Sequence, residues 1–181
     1  DAAEPRLWKF TLDDKQFNSY EFFGISTIFL DIDQNGKIWF TDTPNSKIGN
    51  FDPNTEEFEI IEIPSLTLKS PYSIPISLKV DSDNNIWIAV VDRDMLLTYN
   101  QDSKEFEEFL QLPTENAGPS ALLLDDNGDM WFAESLSGKI GIVDSKTFEI
   151  TEFVPDVPLD EPFALLLDKS GSLWISEHVG P

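Results

Sequence analysis

The chain has 181 residues, enough to bury one sizeable core, and its 40% hydrophobic and 12% aromatic content argues against disorder. Thirty-four acidic against 12 basic side chains give a net charge of −22, a field that repels nucleic-acid phosphates and anionic membrane surfaces. Cysteine is absent, which excludes disulfides and thiolate chemistry, and no apolar run is long enough to cross a bilayer.

The first stretch, PRLWKFTLDDKQFNSYEFF, contains two short apolar runs and reads as a half unit over 5–23. A full unit over 27–64 follows. It has an apolar run, the turn Asp33-Gln34-Asn35-Gly36, a run carrying Trp39, the run KIGNF and the run EEFEIIEIP. The same order returns over 74–113, with Asp81-Ser82-Asp83-Asn84, Trp87, MLLTYN and KEFEEFLQLP, and over 119–155, with Asp125-Asp126-Asn127-Gly128, Trp131, KIGIV and TFEITEFVP. The last stretch, 162–178, has only the first two runs, around Asp168-Lys169-Ser170-Gly171 and Trp174. A tryptophan thus recurs every 43 to 48 residues, at 39, 87, 131 and 174.

These runs read as strands. In EFEIIEI and TFEITEF apolar residues alternate with Glu and Thr at period two, β-branched and aromatic residues dominate, and Gly, Asn, Asp and Pro punctuate. In a D-x-x-G turn the Asp bonds its own backbone while Gly or Asn takes the left-handed conformation, which suits a hairpin. Four antiparallel strands per period make a blade, so the expected fold is an all-β propeller with first strands innermost near 27–32, 75–80, 120–125 and 163–168. Three blades are complete and a fourth is split between 5–23 and 162–178. Pairing those halves would close a four-bladed ring. Because such rings are uncommon, the expectation is a segment of a larger propeller, whose open edges would favour association.

Residues equidistant from a hairpin turn should face each other at the opposite rim, where loops are free to carry function. This pairs Ile28 with Asp42, Ile76 with Val90, Ser120 with Glu134 and Phe163 with Glu177. Asp42, Glu134 and Glu177 read either as solvated rim residues or as a cation-binding cluster. The run from Asp31 to Gly36 has the opening of a calcium loop, but its closing ligand would be Asp42, already in a strand, so a plain hairpin is expected. The repeated Trp read as blade core, and Lys47 and Lys139 as turn and salt-bridge residues.

The phrases GKIWFTDTPNSKIGNFDPNT, GDMWFAESLSGKIGIVDSKT and EPFALLLDKSGSLWISE resemble the repeats of the virginiamycin B lyase family, which inactivates streptogramins, and more loosely NHL-type repeats. The resemblance implies a ring of about seven blades and a magnesium ion. It also implies a carbon–oxygen elimination that opens an ester-closed cyclic peptide, using a histidine and carboxylates on one face. The family's E-P-H-G-I entry matches Glu161-Pro162-Phe163-Ala164-Leu165, with Glu177 in the second carboxylate's place. Glu161 and Glu177 are thereby the candidate catalytic and magnesium-binding residues. Phe163 replaces the histidine and cannot carry a proton, and Ile28, Ile76 and Ser120 in equivalent places offer no substitute. His178, the only histidine, is expected on the face opposite Glu177 because neighbouring strand residues alternate.

Two functions therefore stand. One is a non-catalytic propeller that binds a protein, glycan or small ligand through rim residues Asp42, Ser120, Glu134, Phe163 and His178. The other is a magnesium-dependent lyase-like enzyme, if further blades supply the base. A secreted or envelope location accords with the acidity and the lack of cysteine.

Overall fold

The structure is a computed structural model and describes residues 5–22, 25–66 and 72–178. The expected limit of the first half unit at residue 23 lies outside the described residues. Among these residues sixteen strands form five antiparallel sheets. β1 (Arg6–Thr11) and β2 (Gln16–Glu21) pair as a two-stranded sheet. The first complete blade is β3 (Leu30–Ile32), β4 (Ile38–Asp42), β5 (Lys47–Asp52) and β6 (Glu57–Glu62). The second is β7 (Pro75–Val80), β8 (Asn85–Val90), β9 (Met95–Asn100) and β10 (Glu105–Gln111). The third is β11 (Pro119–Leu124), β12 (Met130–Glu134), β13 (Lys139–Val143) and β14 (Ile150–Phe153). β15 (Pro162–Leu167) and β16 (Leu173–Glu177) form a second two-stranded sheet. Among the described residues β1–β2 and β15–β16 remain separate sheets. The only helical pieces described are 3-10 turns at Thr43–Asn45 and Val91–Arg93.

The recurrence of Asp with Trp has a direct physical cause. Asp33 Oδ1 accepts the amides of Asn35 (2.8 Å) and Lys37 (3.0 Å), closing the turn, while Oδ2 accepts the Trp39 indole N–H at 3.0 Å. Asp81 does the same for Trp87 (2.9 Å), Asp125 for Trp131 (3.2 Å) and Asp168 for Trp174 (2.8 Å). Each turn needs a left-handed residue, supplied by Gly36, Asn84, Gly128 and Gly171. One carboxylate therefore satisfies both the turn and the polar atom of the blade's largest side chain, so the indole is buried with its donor met.

The first strands of successive blades touch one another, β3 with β7, β7 with β11 and β11 with β15, as expected for innermost strands. Between blades the flat faces stack. Trp39 and Ile48 pack with Leu78, Ile86, Ile88 and Tyr99, and Trp87 and Leu96 with Met130, Phe132 and Val143. Each such buried apolar side chain contributes roughly 1.5–3 kcal/mol. Phe132 lies so close to β13 that a Cβ on Gly141 would sit 2.0 Å from its ring, which is why KIGIV carries glycine there. The expectation of a buried tryptophan fails for Trp174, which is 64% exposed because no third strand covers its sheet among the described residues.

Candidate functional site

At the rim opposite the D-x-x-G turns, the strand pairing differs by one residue from simple counting. Pro75 faces Val90, Pro119 faces Glu134 and Pro162 faces Glu177, while Ile76, Ser120 and Phe163 are the extra residues of a β-bulge. Proline, lacking an N–H, opens each strand where no ladder bond is lost, and the bulge after it re-aims the next side chain. In the first complete blade the ladder begins only at Leu30, so Ile28 and Asp42 are not paired.

The rim residues do not form one cluster. Asp42 is buried in its own blade, where its carboxylate accepts the Ser26 amide (3.1 Å) and the Asn45 side-chain amide (2.9 Å). Ser120 is likewise buried, and its hydroxyl donates to the Pro162 carbonyl at 3.0 Å, pinning β15 to the third blade. Thr43 Oγ1 pins Pro75 in the same way at 2.8 Å. Glu134 is fully buried, with Ser137 Oγ donating to its Oε2. These three residues, expected at the rim as solvated groups or part of a cation-binding cluster, are buried instead, Asp42 met from the loop before β3 and Glu134 from the loop after β12. Lys47 and Lys139 do form ion pairs, with Glu62 at 3.3 Å and Glu152 at 3.1 Å.

What remains exposed gathers around β15. Phe163 is 37% exposed, and its ring lies 6.2 Å from Phe29 at the entry to β3 and 5.7 Å from His178. Phe29 precedes β3 and Phe163 lies in β15, so the pair brings together the first complete blade and the last sheet described. Strand β16 ends at Glu177, and His178 continues the ladder one pair further, opposite Glu161, donating its amide to the Glu161 carbonyl at 2.9 Å. Its Nδ1 then stands 3.4 Å from Glu161 Oε2, with both side chains more than half exposed. The contact orients the imidazole but adds little stability in water.

Glu161 has φ +48°, whereas the residue in its place before Pro119 is Gly118, with φ +62°. A side chain is thus accepted where the neighbouring blade uses glycine, a strain of order 1 kcal/mol that projects a carboxylate beside His178 and Phe163. Glu177, one residue from His178, is occupied on Oε1 by the Asp160 amide at 2.6 Å.

Among the described residues no three carboxylate or imidazole groups come together around a point that could hold a metal ion. Asp42 and Glu134 are committed elsewhere, and Glu161 and Glu177 each already have a partner. The described residues do not fit the magnesium ion that the resemblance implies. Sequence reasoning missed Phe29, whose aromatic ring in FLDID was the available signal, and Glu152, which gave none.

A profile of the virginiamycin B lyase family matches residues 14–180. No curated protein matches the chain significantly. A catalytically inactive histidine-to-alanine variant of virginiamycin B lyase from Staphylococcus aureus, solved with quinupristin, superposes with a TM-score of 0.83 at 23% identity. That match covers 95% of this chain and 56% of the other. A streptogramin B lyase gives 0.80 at 24% identity, over 94% and 54%. A putative 6-phosphogluconolactonase from Bacteroides fragilis gives 0.72 at 14% identity, over 96% and 57%. The chain thus spans little more than half the length of these structures, and at such identities the likeness is one of fold.

Proposed function

The chain belongs to the virginiamycin B lyase family, and from that premise we propose that this propeller binds a small ligand at the Phe29–Phe163 mouth without turning it over. The carrying observation is that Phe163 stands in the E-P-F entry where the family resemblance calls for histidine, and presents an exposed ring beside Phe29 and His178. Two rings with an imidazole and a carboxylate at their edge suit a ligand with a flat apolar group and a hydrogen-bonding flank. Removing the proton carrier from an elimination forfeits a factor of about 10² to 10⁴.

A second reading rests on His178. Its ring lies against Phe163, and Glu161 is placed to fix its orientation. In that reading the neutral imidazole takes a proton from the carbon next to the ester-bearing one. The electron pair forms a C=C bond, and the C–O bond breaks with its electrons on oxygen.

Quinupristin is the probe for both. Titrated into the purified chain, it is expected to bind saturably, with roughly tenfold weaker affinity for Phe163→Ala and no ring-opened product. Product that disappears in His178→Ala would replace the binding-only reading with the second. Absence of saturable binding would overturn both.

A further inference from the structure

Glu134 is 0% exposed, yet only one of its carboxyl oxygens is satisfied. Ser137 donates to Oε2, and Oε1 has no hydrogen-bond partner among the described residues. An ionised carboxylate would leave that oxygen charged and dry, the arrangement that buried groups avoid most strongly. The neighbouring group is another carboxyl, Glu152 of β14. Glu152 is well supplied, accepting the Thr114 amide at 3.1 Å, the Thr114 hydroxyl at 2.6 Å and the Lys139 ammonium at 3.1 Å. The charged groups facing Glu134 are thus Glu152 from β14 and Lys139 from β13. Two carboxylates against one lysine leave an uncompensated buried charge.

A proton on Glu134 Oε1 removes both faults, because the unpartnered acceptor becomes a donor toward Glu152 and the cluster becomes neutral. We propose that Glu134 and Glu152 share one proton inside the third blade, and that this proton fastens the rim loops around it. The loop before β11 is tied to the pair directly through the Thr114 bonds to Glu152, and the neighbouring rim loops are held by backbone bonds around it. The Gly138 amide donates to the Glu134 carbonyl (3.0 Å) and the Ser135 amide to the Gly118 carbonyl (2.9 Å), while Thr114 begins the approach to β11. Gly138 in turn lies against the Leu159 carbonyl, so the segment leading to Glu161 rests on the same loop.

The electrostatics agree with this geometry. Burial foremost, and the nearby Glu152 charge, push Glu134 up to about 7 despite the Ser137 hydrogen bond and Lys139. Burial works to raise Glu152 too, but the bonds from Thr114 and Lys139 outweigh it and hold that group below its ordinary value. The proton therefore belongs on Glu134, and the two environments have separated a pair of like groups.

A folded-state value raised above the unfolded one gives stability that is fully present below about 4.5 and lost as the pH climbs through about 7. Across that window the unfolding equilibrium constant should rise roughly 200- to 300-fold from this group alone. In Glu134→Gln the amide stays neutral and still donates to Glu152. The variant should match the parent near pH 4.5 and unfold about 100-fold less at pH 8. Urea unfolding across pH measures this, and carboxyl-labelled NMR should show one glutamate titrating near 7 in the parent and none in the variant. Identical pH slopes in the two proteins, no glutamate titrating above pH 6, or failure of the Gln variant to fold would each overturn the proposal. A lowered titration midpoint for Glu134 in Glu152→Gln would support it independently.

Discussion

The rims of the first and third complete blades are written almost alike, IWFTDTPNSKIG and MWFAESLSGKIG, and behave oppositely. In the first, Asp42 is met by the Ser26 amide and the Asn45 side chain, and Lys47 reaches outward to Glu62, a largely exposed partner. In the third, a side chain one methylene longer leaves Glu134 with an unpartnered oxygen, and Lys139 is drawn inward to Glu152 and Thr114. A repeat position thus fixes where a carboxylate starts and says little about what receives it. Some of the recipients, Ser26 and Thr114, come from entry loops that the repeat leaves free to vary.

The largest effect should come from Lys139→Met. It strands Glu152, whose side chain is 12% exposed, without its cation, and urea unfolding at pH 7 should show a loss of about 2–4 kcal/mol. Asp42→Ala comes next. It leaves the Ser26 N–H and the Asn45 amide without their acceptor, for a cost of about 2 kcal/mol in the same assay. Ser137→Ala removes the one hydroxyl donated to Glu134, and calorimetry should register about 1 kcal/mol. Lys47→Met should sit within about 0.5 kcal/mol of the parent, since an ion pair with an exposed partner is worth little. If Lys47→Met and Lys139→Met cost the same, the contrast between the two rims fails.

The propeller was legible because its signals are local. Period-two alternation in EFEIIEI, a D-x-x-G turn and a tryptophan six residues after the Asp each report on one hairpin. The candidate site was legible only in part. Counting from the turns located Asp42, Glu134 and Glu177 at second-strand ends, but not the bulges at Ile76, Ser120 and Phe163. For these the proline before each bulge was the available hint. Burial of Asp42 and Glu134 depends on Ser26, Thr114 and Ser137, whose arrival no spacing announces. The His178–Glu161 contact needed the register of the last hairpin, in which Pro162 faces Glu177 and Glu161 therefore faces His178.

The tether between each turn Asp and its tryptophan also makes the molecule its own optical gauge. Trp39 and Trp87 are 2% exposed, whereas Trp8 and Trp174 are 59% and 64% exposed. Dry indoles emit to the blue and wet ones to the red, and only the wet ones meet a dissolved quencher. Acrylamide should therefore extinguish light from the two outer sheets first and leave a blue residue from the central blades. During unfolding the loss of that residue would mark the moment at which the middle of the molecule, and not merely its ends, comes apart.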